Sequence, residues 1–164
     1  MAFKPTLAAV LLLSGCAYTQ PKTMPHLPPV NEFVFDATFD RVWAAVLDRS
    51  TEKSWPIKVV DKASGFLTTD YVSLGNGADG WKNAKAVAYE PPGGFLNSYT
   101  WRGGARLTTT IFVSKIDNSK TRVKIVTHLE AFEDNVSQKW FPWESNGANE
   151  IELAAYIKNK LRSP

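Results

Sequence analysis

The chain has 164 residues, with 19 Lys or Arg against 16 Asp or Glu and a net charge of +3. Its charges are scattered without a run of like sign, which argues against a nucleic-acid binder. Hydrophobic residues make up 44%, ordinary for a globular chain, but six Trp are many for this length. Most Trp rings pack in cores, and some mark interfaces where one ring edge stays wet.

The amino-terminal residues read as a leader. Lys4 precedes an apolar run from Leu7 to Leu13, and the small residues Ser14 and Gly15 follow. That order describes a secretory signal peptide. It is too short to cross a bilayer as a helix, which takes roughly 20 apolar residues. Leu13-Ser14-Gly15-Cys16 resembles the lipobox of bacterial lipoproteins. The resemblance implies cleavage before Cys16, a diacylglyceryl group on its sulfur and an acyl chain on the new amino terminus. Cys16 is the single cysteine, so no intrachain disulfide competes for it. One acyl chain binds a membrane reversibly, whereas three hold a protein there. Ala17, not Asp, follows Cys16, and the lipoprotein sorting rule then implies the periplasmic face of a Gram-negative outer membrane. Residues 1–15 are therefore expected to be a signal peptide and residues 16–30 a lipidated Cys with a tether. Residues 31–164 are expected to form one domain.

The tether carries Pro21, Pro25, Pro28 and Pro29. Such density favours polyproline II at about 3.1 Å per residue, enough to hold the domain on the order of 40 Å from a membrane. His26 in this stretch reads as solvated.

Val30 to Asp36 is rich in strand formers. Thr38 is a candidate N-cap, and Phe39, Val42, Trp43, Val46 and Leu47 then make one apolar helical stripe. Pro56 ends that helix. Ile57 to Asp61 and Phe66 to Val72 predict a strand pair around the turn at Gly65. Ser73 to Lys85, with Gly75, Gly77 and Gly80, predicts a loop carrying Trp81. Ala86 to Glu90 and Phe95 to Trp101 predict two further strands. Arg106 to Ile116 and Thr121 to Ala131 alternate most clearly, one face apolar and one polar, the mark of a sheet covered on one side. Trp140-Phe141-Pro142-Trp143 shows no regular spacing. Asn146 to Arg162 predicts a final helix whose inward stripe is Ile151, Ala154, Ile157, Lys158 and Leu161, with Leu153 beside it.

The predicted order is β-α-β-β-β-β-β-β-α, an α+β fold in which an antiparallel sheet grips a long last helix beside a second main helix. Val42-Trp43, Ile57, Asp61 and the run Gly65-Phe66-Leu67-Thr68-Thr69-Asp70-Tyr71-Val72 resemble the repeated domain of the BamC lipoproteins. Those belong to the outer-membrane β-barrel assembly machinery. BamC proteins carry two such domains and a long extended amino-terminal segment, whereas this chain is expected to hold one domain behind a short tether. The resemblance implies the helix-grip fold, the lipid anchor and the envelope location.

No nucleophile with a base, paired carboxylates, phosphate loop or metal-ligand spacing occurs, so no enzyme, metal or cofactor is expected. His128 alternates with Lys124 and Glu130 on a strand face and reads as solvated. The expected partners are a membrane, through lipid on Cys16, and an envelope protein. Trp81, Trp101, Arg102, Trp140 and Trp143 are the candidate protein-binding residues, with Arg106 an alternative to Arg102 at the rim. A lipid or small-ligand carrier, with a cavity between the sheet and the last helix, is the alternative.

Overall fold

The structure, a computed structural model, describes residues 28–89, 103–134 and 138–163. In chain order the described elements are β1 (Glu32–Phe35), α1 (Phe39–Glu52), β2 (Ile57–Asp61), β3 (Phe66–Thr69) and β4 (Val72–Gly75). They continue with α2 (Gly77–Val87), β5 (Ala105–Lys115), β6 (Thr121–Glu133), β7 (Lys139–Trp143) and α3 (Ala148–Arg162). The strands form one seven-stranded antiparallel sheet, and the fold is α+β as expected.

β5 and β6 are the spine. Their alternating sequences pair without a slip from Ala105 opposite Ala131 to Lys115 opposite Thr121. Leu107, Thr109, Ile111 and Val113 face one side with Val123, Ile125, Thr127 and Leu129, and all are buried. Each outer edge of this spine is shared by two short strands placed end to end. β3 and then β4 cover the edge of β5, while β1 and β7 cover opposite ends of β6. β2 lies beyond β3 as an exposed edge strand.

α1 and α3 pack together on the buried side of the sheet. Val42, Trp43 and Val46 from α1 and Leu153, Ala154 and Ile157 from α3 join Leu67, Ile111, Val123 and Ile125 in the main core. Each fully buried aliphatic side chain contributes about 1.5–3 kcal/mol, which makes this cluster the chief source of stability. Polar groups tie the two helices together. The Tyr156 hydroxyl donates to Asp48 at 2.6 Å, Lys160 pairs with Asp48 at 2.8 Å, and Arg49 bonds Glu152. A smaller second core holds Ala88, Leu107 and Leu129, with Val72, Leu74, Val87 and Trp143 against it.

Several elements differ from the expectation. Ser73 to Lys85 is not a loop: it completes β4 and forms most of α2, so the described residues hold three helices rather than two. Gly80 is there for proximity, because a Cβ on it would lie 2.2 Å from the Gly75 carbonyl oxygen. Ala86 and Val87 end α2 instead of starting a strand, and Ala88 makes an isolated bridge with Ser145. The strand expected over Phe66 to Val72 breaks at Asp70 and Tyr71 into β3 and β4. Trp140 to Trp143 lie in β7, where Pro142 is tolerated because β7 is an edge strand. The described residues hold seven strands, but these are not the seven expected. The strand expected over Phe95 to Trp101 lies outside the described residues. On α3 the inward stripe includes Glu150 and Leu153, while Ile151 is 54% exposed and Lys158 is exposed.

Candidate functional site

The end-to-end strands leave a break on each side of the spine, and both breaks fall at the same level. Along β6, pairing with β1 reaches as far as Ile125, whose N–H donates to the Asn31 carbonyl at 2.8 Å. Pro28 and Pro29 precede and have no N–H with which to continue the ladder. Pairing with β7 resumes only at Leu129. In the gap, the Thr127 N–H donates to the Glu150 carboxylate at 3.2 Å, and the Ser145 hydroxyl donates to its other oxygen at 3.0 Å. Glu150 is 1% exposed and lies in the first turn of α3, where the helix dipole favours negative charge. On the other side, the Thr109 N–H donates to the Thr69 hydroxyl at 3.0 Å. The Asn149 amide bridges the two spine strands, donating to the hydroxyls of Thr127 at 2.9 Å and Thr109 at 3.3 Å. A polar belt thus crosses the waist of the sheet between the two apolar cores.

A groove of about 720 Å³ opens at the break beside β6. Val126, Thr127, His128 and Leu129 contribute to its lining, with Tyr71, Tyr89, Trp143, Glu130 and Glu144 around them. The sheet face remote from α1 and α3 borders it. There Arg106 lies between two rings, 3.6 Å from the Tyr71 centroid and 3.9 Å from that of Trp140. Its Nε and Nη2 both reach Glu130 Oε2 at 2.7 Å. Phe132 meets Trp140 edge-on at 5.2 Å. Tyr71, Trp140 and Phe112 remain 46%, 37% and 43% exposed on this side.

The expected site residues therefore separate. Trp140 lies on the open face. Trp81 is half-buried and meets Trp143 edge-on at 5.4 Å, and Trp143 packs against the second core. That pair closes α2 onto β7. Cys16, Trp101 and Arg102 lie outside the described residues. Arg106 supplies the rim cation considered in the sequence. Glu130 is not among the residues expected at the site. The signal for Glu130 was its place directly across from Arg106 on the two alternating strands.

The segment Gly65 to Asp70 works within the fold. The Gly65 carbonyl accepts the Val113 N–H at 2.7 Å, Leu67 is buried, and the Thr68 and Thr110 hydroxyls bond at 3.0 Å. Thr69 caps Thr109, and Asp70 accepts the Tyr71 N–H at 2.8 Å. The Asp61 carboxyl accepts from the Ser64 hydroxyl and the Ala63 N–H, which hold it below the usual carboxylate range and fix the β2–β3 turn.

No protein-family model matches the chain, and no curated protein matches it significantly.

Proposed function

We propose that the chain is a BamC-like, lipid-anchored envelope protein that acts by binding another protein through the open face of its sheet. The observation that carries the reading is the Tyr71–Arg106–Trp140 stack. Aromatic and Arg side chains dominate the energetic centres of protein interfaces, and side chains already ordered lose less entropy on binding. Tethering through Cys16 rests on the leader-like order of residues 4–16, and would keep this face near partners on the same membrane. The packing favours a binding module over a carrier. Ile125, Leu153 and Ile157 are almost fully buried between the sheet and α3, so side chains occupy the space a ligand would need there.

The test uses the full-length chain in a Gram-negative envelope, with a photo-crosslinking residue at position 140 or, as control, at Lys158 on α3. A discrete product from position 140 alone is expected, together with labelled palmitate incorporated by the wild type and not by Cys16→Ala. Equal products from both positions, or co-purified lipid without a cross-linked protein, would reject the reading.

A further inference from the structure

The groove at the sheet waist has a charge unlike that of the whole molecule. Its lining includes Glu130, Glu144 and Glu150 and, among the described residues, no Lys or Arg, whereas the chain carries a net +3. Each carboxylate stands differently. Arg106 offsets Glu130 from the sheet side. Glu150 spends its oxygens on Thr127 and Ser145, so it adds negative potential beneath the floor without offering an acceptor. Glu144 sits exposed on the rim. Tyr71, Tyr89 and Trp143 also line the groove, and their ring faces attract cations. The floor runs along the extended stretch 126–128 of β6, where no strand pairs on the outer edge.

We infer that this groove takes an extended peptide segment of the partner that carries a lysine or arginine, with the cation directed to Glu144 and the aromatic walls. The inference rests on the protein-binding reading above and adds the chemistry of what is bound. The segment does not join the sheet as a new strand at Thr127, because Glu150 already holds that N–H. Side-chain charge, rather than backbone pairing, does the selecting. Pro28 and Pro29 form part of the groove wall, so the bound segment lies close to where the tether enters the domain.

The test titrates the detergent-solubilised full-length chain with a short peptide alternating proline and lysine, and with its counterpart bearing glutamate for lysine. Tryptophan fluorescence and indole N–H resonances report binding. Saturable binding of the lysine peptide alone is expected, weakened about tenfold by Glu144→Gln and by added salt. A circular dichroism spectrum unchanged by Glu144→Gln keeps the comparison meaningful, since this side chain lies on the exposed rim. Equal binding of both peptides, no binding of either, or indifference to Glu144→Gln overturns the inference. The broader reading is tested separately by cross-linking at position 140. A partner captured there while the lysine peptide fails to bind would sink the groove assignment alone.

Discussion

Thr109 and Thr127 face each other across β5 and β6, and each sends its backbone N–H outward to a side chain instead of a strand. The acceptors are Thr69 on one side and Glu150 on the other. A buried N–H without a partner costs about 1–3 kcal/mol. Thr69→Val removes one acceptor at nearly constant shape and should lower stability by about that amount, while Thr69→Ser should recover most of it. Glu150→Ala strips both Thr127 and Ser145 and should cost about 2–4 kcal/mol, with Glu150→Gln costing less because it keeps an acceptor for Thr127. Urea unfolding of the four variants checks the ranking. An equal loss from Glu150→Ala and Glu150→Gln would show that Thr127 gains nothing from the carboxylate.

Gly65 is required at its turn. Its φ is +69°, and a Cβ there would lie 1.9 Å from the Val113 carbonyl oxygen. Gly65→Ala should therefore destabilise by about 2–4 kcal/mol and move the β3–β5 contact. Gly77 also has positive φ, at +57°, but a Cβ on it meets nothing within 4 Å. Gly77→Ala should cost only about 1 kcal/mol. Thermal melts of the two variants separate backbone conformation from steric collision.

The helix clasp gives a pH dependence with two limbs. Lys160 and the Tyr156 hydroxyl hold the Asp48 carboxyl below its ordinary 3.8. Stability from Asp48 is thus complete above that value and fades as pH falls through the lowered one. Bonding to Asp48 pushes the Tyr156 phenol up to about 12 from 10.0. Its contribution is complete below pH 10.0 and is lost as pH rises towards about 12. Tyr156→Phe should remove this part of the alkaline limb and shrink the acid one. Melting temperature against pH, alongside phenolate absorbance, checks both signs. The groups are exposed, so salt should flatten both limbs.

Arg106 joins the rings by shape as well as charge. Arg106→Lys keeps the cation but loses the planar group between Tyr71 and Trp140. It should cost about 1 kcal/mol and alter the near-ultraviolet dichroism of the tryptophans. Cross-linking from position 140 should weaken in the same variant if the ordered stack is what the partner meets.

Much of this fold can be read where one face of an element differs from the other. Leu107 to Val113 and Val123 to Leu129 alternate against polar neighbours, and Phe39 to Leu47 repeats at helical spacing. Reading fails where that contrast is missing. Gly77 and Gly80 suggest a loop by composition, yet Gly80 serves the close approach of α2 to β4. β7 puts bulky side chains on both faces, so Trp140 to Trp143 carries no alternation. Glu150 is charged and Ile151 is not, and that contrast points the wrong way. The carboxylate turns inward because a broken ladder needs an acceptor, a demand set by β1 and β6 and invisible within α3. The site is legible only in part. Trp140 stands out by composition, but its stack with Arg106 and Tyr71 depends on the break between β3 and β4.

The first strand of the domain leans on a partner made much later. β1 rests against β6, so during synthesis, amino terminus first, it has no neighbour until most of the chain has followed. The helical stripe of α1 waits as well, since the elements it packs against are chiefly α3 and β5, which follow it in the chain. A chain arrested within the turn at Asp117 would thus display the apolar stripe of α1 without the cover of α3. Such unfinished products are natural prey for quality-control proteases and chaperones.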